Sequence, residues 1–218
     1  MTKSILDIKN LQISVEDRSV LNGFDLQIKV GQVIALLGPN GSGKSSVAMA
    51  LLGNPNYKVT DTSRIEFLGK DIKQLSVDER AKAGLYVAWQ NPVSIPGVTV
   101  FNFCKSITSQ TGTLVEFKKY LEELLVKVGL PQEYISRGVN EGFSGGERKR
   151  LEMLQLLLLA PKLAVLDEVD SGLDSKGVQI LAEIVNELKA IGTSFLLITH
   201  NTKLTDKVKV DQVCKTIN

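Results

Sequence analysis

The sequence has 218 residues, 43% hydrophobic and 23% charged, with 26 Lys plus Arg against 24 Asp plus Glu for a net charge of +2. At roughly 150 residues per domain, this is one large domain or one domain carrying an insertion, apolar enough to bury a core. So balanced a charge argues against an electrostatic grip on nucleic acid, and no apolar run approaches the roughly 18 residues of a membrane span.

The start, Met1-Thr2-Lys3-Ser4, lacks the apolar centre of a signal peptide, so a cytoplasmic protein without direct membrane insertion is expected. Residues Ile5 to Val30 predict short strands turning at Glu16-Asp17 and again at Asn22-Gly23, an antiparallel subsheet. Val33 to Leu37, Leu163 to Leu166 and Phe195 to Thr199 are continuous apolar runs, the pattern of a parallel sheet covered on both faces. Residues 91–158 are mostly helical. They predict a helical subdomain inserted into a single domain of 1–218, whose α/β core is 1–90 plus 159–218. Its clearest helix places Leu114, Phe117, Leu121, Leu124, Leu125 and Val128 on one stripe, behind a Thr113/Glu116 capping box and ahead of Gly129 and Pro131. Asp174 is the expected cap of a second helix, with Leu181, Ile184, Val185 and Leu188 inside and Gly192 beyond its end.

Gly38-Pro39-Asn40-Gly41-Ser42-Gly43-Lys44-Ser45 fits the P-loop pattern between a strand and a helix. Glycines let the backbone curl so that N–H groups face a phosphate, and the helix N-terminus adds a favourable dipole. Lys44 is then expected on the β- and γ-phosphates of ATP and Ser45 on Mg²⁺. Leu163-Ala164-Val165-Leu166-Asp167-Glu168 ends an apolar strand in two carboxylates. Beside a P-loop, Asp167 suits the Mg²⁺ shell and Glu168 suits orienting and deprotonating a water. Phe143-Ser144-Gly145-Gly146-Glu147 precedes a long helical run, and Ser144 with Glu147 also reads as a capping box. Arg148, Lys149 and Arg150 follow, a charge run expected to be a solvated face. Cys104 and Cys214 are too few for a disulfide framework or a four-ligand metal site, and read as small buried hydrophobes.

Ser144-Gly145-Gly146-Glu147 resembles the signature of the ABC ATPases, and with it the resemblance covers nearly the whole chain in the family's motif order. The resemblance implies that Gln90 is the Q-loop residue coupling Mg²⁺ and water to the helical subdomain. It implies that Ser171-Gly172-Leu173-Asp174 is the D-loop and that His200, the sole histidine, contacts the γ-phosphate. The implied nucleotide contacts are Gly38 to Ser46 on one copy, and Ser144, Gly145, Gly146 and Asp174 across an ATP-dependent homodimer.

Within the family, Asp167-Glu168-Val169-Asp170-Ser171-Gly172-Leu173-Asp174, Gln90 to Val98, Gly142 to Arg150 and Ser14-Val15-Glu16-Asp17 are similar to the SufC branch. That branch implies an ATPase acting on SufB/SufD-like scaffold proteins in iron–sulfur cluster assembly. The alternatives are the ATP-binding subunit of a membrane transporter, for which Pro-Thr is common where Val169-Asp170 stands, and a nucleotide switch without turnover. Three departures bear on these expectations, the mildest being Ser46 where Thr is more usual. No aromatic residue precedes Phe24, leaving Val15 nearest to where the family often stacks adenine. The chain also ends shortly after His200, where the family continues through a strand hairpin and a helix.

Overall fold

The computed structural model describes residues 3–88, 92–108, 112–199 and 202–215. In chain order, two long strands, β1 (Ser4–Val15) and β2 (Arg18–Lys29), form a hairpin closed at Glu16-Asp17, where both residues take positive φ. The turn expected at Asn22-Gly23 is not one. β2 runs straight through it, and the ladder passes from Ile8↔Leu26 to Leu11↔Phe24 to Ile13↔Leu21. β1 therefore carries an extra residue at the first step and β2 at the second. Gly23, at φ +76°, absorbs the second irregularity, so the two offsets cancel and the strands keep their inward faces.

Next come β3 (Val33–Leu37), helix α1 (Lys44–Leu52), the short strands β4 (Lys58–Val59), β5 (Arg64–Phe67) and β6 (Lys70–Asp71), helix α2 (Val77–Ala83) and β7 (Leu85–Ala88). The next segment contains β8 (Ile95–Thr99), α3 (Val100–Ile107), α4 (Leu114–Lys127), a 3-10 turn (Gln132–Ser136), β9 (Gly138–Val139) and α5 (Gly145–Leu159). The chain then returns through β10 (Leu163–Asp167), α6 (Ser175–Ala190), β11 (Ser194–Ile198), α7 (Thr202–Lys207) and β12 (Gln212–Lys215). The capping boxes at Thr113/Glu116 and Ser144/Glu147 are both formed, and the Gly177 N–H donates to Asp174 Oδ1 at 2.7 Å as α6 begins.

β12-β3-β11-β10-β7 form one parallel sheet, while β2-β1-β5-β6, with β4 on β1, form an antiparallel one. The parallel strands are apolar at almost every position, yet alternate residues serve different cores. Ile34, Leu36, Val165, Leu196 and Ile198 pack toward α1 and the antiparallel sheet, with Leu6, Ile8, Leu11 and Phe67. Val33, Ala164, Leu166, Phe195 and Leu197 pack on the opposite side with leucines of α5 and α6. That is why these runs show no polar alternation. In 91–158 the helices are joined by a two-stranded ribbon that periodicity did not predict, with Ile95 opposite Val139 and Thr99 opposite Gly138.

Candidate active site

The carboxyl ends of β3 and β10 deliver their following loops to one place, as open α/β sheets do. There, a cavity of about 340 Å³ is lined by Val20, Asn40, Gly41, Gly43, Lys44, Ser45, Ser46 and Glu168. Gly41 and Gly43 sit at φ +80° and +84°, and Gly43 caps α1 without a side-chain hydrogen bond. The first N–H groups of the helix are thus left to the loop's own concavity, an anion-binding arrangement. A Cβ on Gly43 would meet the Val20 carbonyl and Leu21 Cδ1 at 2.9 Å, so the antiparallel sheet lies directly on the loop. Lys44 is 6% exposed and donates to the carbonyls of Gly38 and Pro39, both at 2.8 Å. These bonds hold the ammonium over the loop. Val20 supplies the apolar wall of this cavity.

Asp167 closes β10, and burial raises its carboxyl above the ordinary value, opposed by a hydrogen bond with Ser45 and the charge of Lys44. Its Oδ1 is buried with no hydrogen-bond partner. A hard, desolvated oxygen beside a serine hydroxyl at the phosphate loop is a donor set that fits Mg²⁺, which takes few protein ligands and completes its shell with phosphate and water.

Glu168 follows in the left-handed region at φ +50°, uncommon for a residue with a side chain and typical of functional sites. Its backbone is held from several sides. The N–H donates to Ile198 O at 2.8 Å, and the carbonyl accepts from Ser171 N–H and from Lys149 Nζ, each at 3.0 Å. The strained residue is thereby fixed with its carboxylate at the cavity.

Lys149 corrects the expectation of a solvated basic face. Its ammonium also donates to Ser171 O, and burial lowers its pKa. Arg150 donates to Val128 O at 2.8 Å and pairs with Asp174 at 3.1 Å, while Arg148 donates to Phe143 O at 3.2 Å. Carbonyls left open where α4 ends and where β10 turns away need donors, and these long side chains bury their stems to reach them. Composition gave no cue to this, but the helical spacing behind a capped N-terminus could have placed Lys149 and Arg150 inward.

Ser144, Gly145 and Gly146 form the N-terminus of α5. Ser144 and Gly145 are exposed, and none of the three lines the cavity. Asp174 is absent from the cavity as well, its carboxylate serving the α6 cap and Arg150. Gln90 and His200 lie outside the described residues. Cys104 is fully buried and its thiol is pushed up to about 12 by burial, whereas Cys214 is only half-buried on edge strand β12, a partial departure from expectation.

Residues 21–171 match the family described as ABC transporter. The chain belongs to the ABC ATPases. It is 42% identical over 216 residues to a probable ABC transporter ATP-binding protein of Streptococcus pyogenes serotype M18, covering 96% of this chain and 84% of that one. It is also 42% identical over 217 residues to the probable ATP-dependent transporter SufC of Escherichia coli K12, covering 96% and 87%. A nucleotide-free ATP-binding cassette from an ABC transporter superposes with a TM-score of 0.78 at 25% identity, covering 99% of this chain and 88% of that structure. This ABC protein is an ATPase close to SufC, and among the described residues no helix is long and apolar enough to cross a membrane.

Proposed function

We propose that this ATPase drives shape changes in a SufB/SufD-like scaffold during iron–sulfur cluster assembly. The observation that carries the ATPase half is the shared cavity of Lys44, Ser45 and Glu168, with the buried Asp167 Oδ1 paired to no donor. The scaffold half is supported by the SufC-like segments around Asp167–Asp174, Gln90–Val98 and Gly142–Arg150, and by the 42% identity to SufC.

In this reading, 1–90 and 159–218 are the catalytic core and 91–158 the helical subdomain. ATP lies along Gly38 to Ser46, its phosphates on the α1 N–H groups and Lys44. Ser45, Asp167 and Gln90 would hold Mg²⁺, which when bound neutralises phosphate charge. Glu168 takes a proton from water as its oxygen attacks the γ-phosphorus, the bond to the β–γ bridging oxygen breaks and ADP leaves. Gln90 and His200 align that water and the γ-phosphate. A second copy contributes Ser144, Gly145, Gly146 and the loop ending in Asp174. Closure and reopening of the pair moves whatever the helical subdomains hold.

The test is to purify the Glu168→Gln chain from its source with ATP present and identify its companions. A SufB/SufD-like pair is the expected result. An integral membrane protein in their place would make this the ATP-binding subunit of a transporter.

A further inference from the structure

Glu147 places a negative charge in the segment proposed to receive the partner copy's γ-phosphate. Its carboxylate is held from two sides: Oε2 accepts the Ser144 N–H at 2.7 Å, and Oε1 accepts the Tyr134 hydroxyl at 2.6 Å. Ser144 Oγ accepts the Glu147 N–H at 3.3 Å, and the Ser144 hydroxyl is itself directed at the Glu147 carboxylate. Tyr134 lies on the 3-10 turn, outside the signature itself, and is fixed in its own right. Its ring packs on Phe143 with centroids 4.8 Å apart, and the Arg137 guanidinium lies 4.3 Å from the Tyr134 centroid and 4.8 Å from that of Phe143. Arg137 in turn donates to Glu141 O at 3.2 Å. The capping box alone would satisfy Ser144 and Glu147. The tyrosine bond is additional, and short because one partner is ionised.

We propose that Tyr134 is a positioning residue for the signature. Its hydroxyl ties the second oxygen of the Glu147 carboxylate to the 3-10 turn, so that the γ-phosphate of the partner copy meets the N–H groups at the start of α5 rather than a carboxylate oxygen turned toward it. The proposal rests on the reading above in which the signature of one copy completes the site of another. Arg137, over the same ring, adds positive charge on the side from which the carboxylate is held. A tyrosine that served packing alone would need only its ring, and phenylalanine would replace it without consequence for ATP.

The experiment titrates ATP-dependent dimerisation of the full chain by analytical ultracentrifugation. The Glu168→Gln background is compared with the same chain carrying Tyr134→Phe, and Tyr134→Phe with Glu147→Gln. Tyr134→Phe keeps the stacked ring and loses one charge-assisted hydrogen bond, so the ATP concentration needed for dimerisation rises roughly tenfold. Binding of a fluorescent ATP analogue to the single subunit is unchanged, because Tyr134 is not part of the P-loop cavity. Adding Glu147→Gln restores dimerisation by removing the charge that Tyr134 restrains. Dimerisation unaffected by Tyr134→Phe overturns the proposal. So does a loss that tracks a fall in melting temperature and is not rescued by Glu147→Gln. If the background chain itself fails to dimerise with ATP, the two-copy reading falls and takes this proposal with it, a result distinct from either of the others.

Discussion

Thr199 Oγ1 donates to Asp170 Oδ2 at 2.9 Å, and the two residues are 2% and 3% exposed. The bond ties the loop leaving β10 to the end of β11, one residue before His200 in sequence. It gives Asp170 a buried partner, while Val169 beside it packs in the core with residues of α5 and α6. Thr199→Val removes the donor and leaves a buried carboxylate oxygen short of one partner. The expected cost is about 1–3 kcal/mol of folding stability, read from urea unfolding at neutral pH. An unchanged midpoint would show that the carboxylate finds another donor.

Lys149 reaches from the first turns of α5 to the carbonyls of Glu168 and Ser171. Lys149→Met keeps the stem and deletes both bonds, and the left-handed backbone at Glu168 loses an anchor. Steady-state kinetics should show kcat falling roughly tenfold or more with KM for ATP little changed, since hydrogen bonds to a charged donor are worth about 1.5–3 kcal/mol. A raised KM at full kcat would instead place the effect in nucleotide binding.

The P-loop glycines separate two kinds of constraint. Gly41 and Gly43 share positive φ, but a Cβ on Gly41 would meet nothing within 4 Å, whereas on Gly43 it would strike the Val20 carbonyl. Gly41→Ala should therefore cost only the conformational strain, about 1 kcal/mol. Gly43→Ala should cost more and also abolish binding of a fluorescent nucleotide. Equal losses in the two variants would mean that the sheet yields at Val20.

Glu147 sets a pH dependence. The Tyr134 hydroxyl first, then the Ser144 N–H, hold its carboxyl below the ordinary 4.5. A depressed acid contributes stability above 4.5 that is lost as the pH falls through the folded value. In Tyr134→Phe the Glu147 carbon resonance should titrate at higher pH, closer to 4.5, in an NMR titration. A midpoint that stays put would assign the shift to the Ser144 hydrogen bonds and the Arg137 charge.

Much of this was legible in sequence because the relevant physics is local. A P-loop needs its glycines and lysine in register, and capping boxes at Thr113 and Ser144 need only residues three apart. What escaped depends on distant partners. Asn22-Gly23 has the composition of a hairpin turn, and only the register against β1 makes it an irregularity within a strand. Arg148 to Arg150 read as solvent-facing because the carbonyls that recruit them come from Phe143, the end of α4 and the turn after β10. Val20 was not singled out in sequence because only the hairpin pairing brings it to the P-loop.

The β8–β9 ribbon has a mechanical consequence. It pairs the two ends of the stretch that carries α3, α4 and the 3-10 turn, Ile95 before it and Val139 after it, with the Asn140 side chain donating to Val93 O at 2.8 Å beside it. A segment clasped at its neck behaves as a stiff arm. A load on the start of α4, where Leu114 and Val115 stand exposed, would be shared by both paired strands: β8, which follows Gln90 in sequence, and β9, which leads toward Ser144.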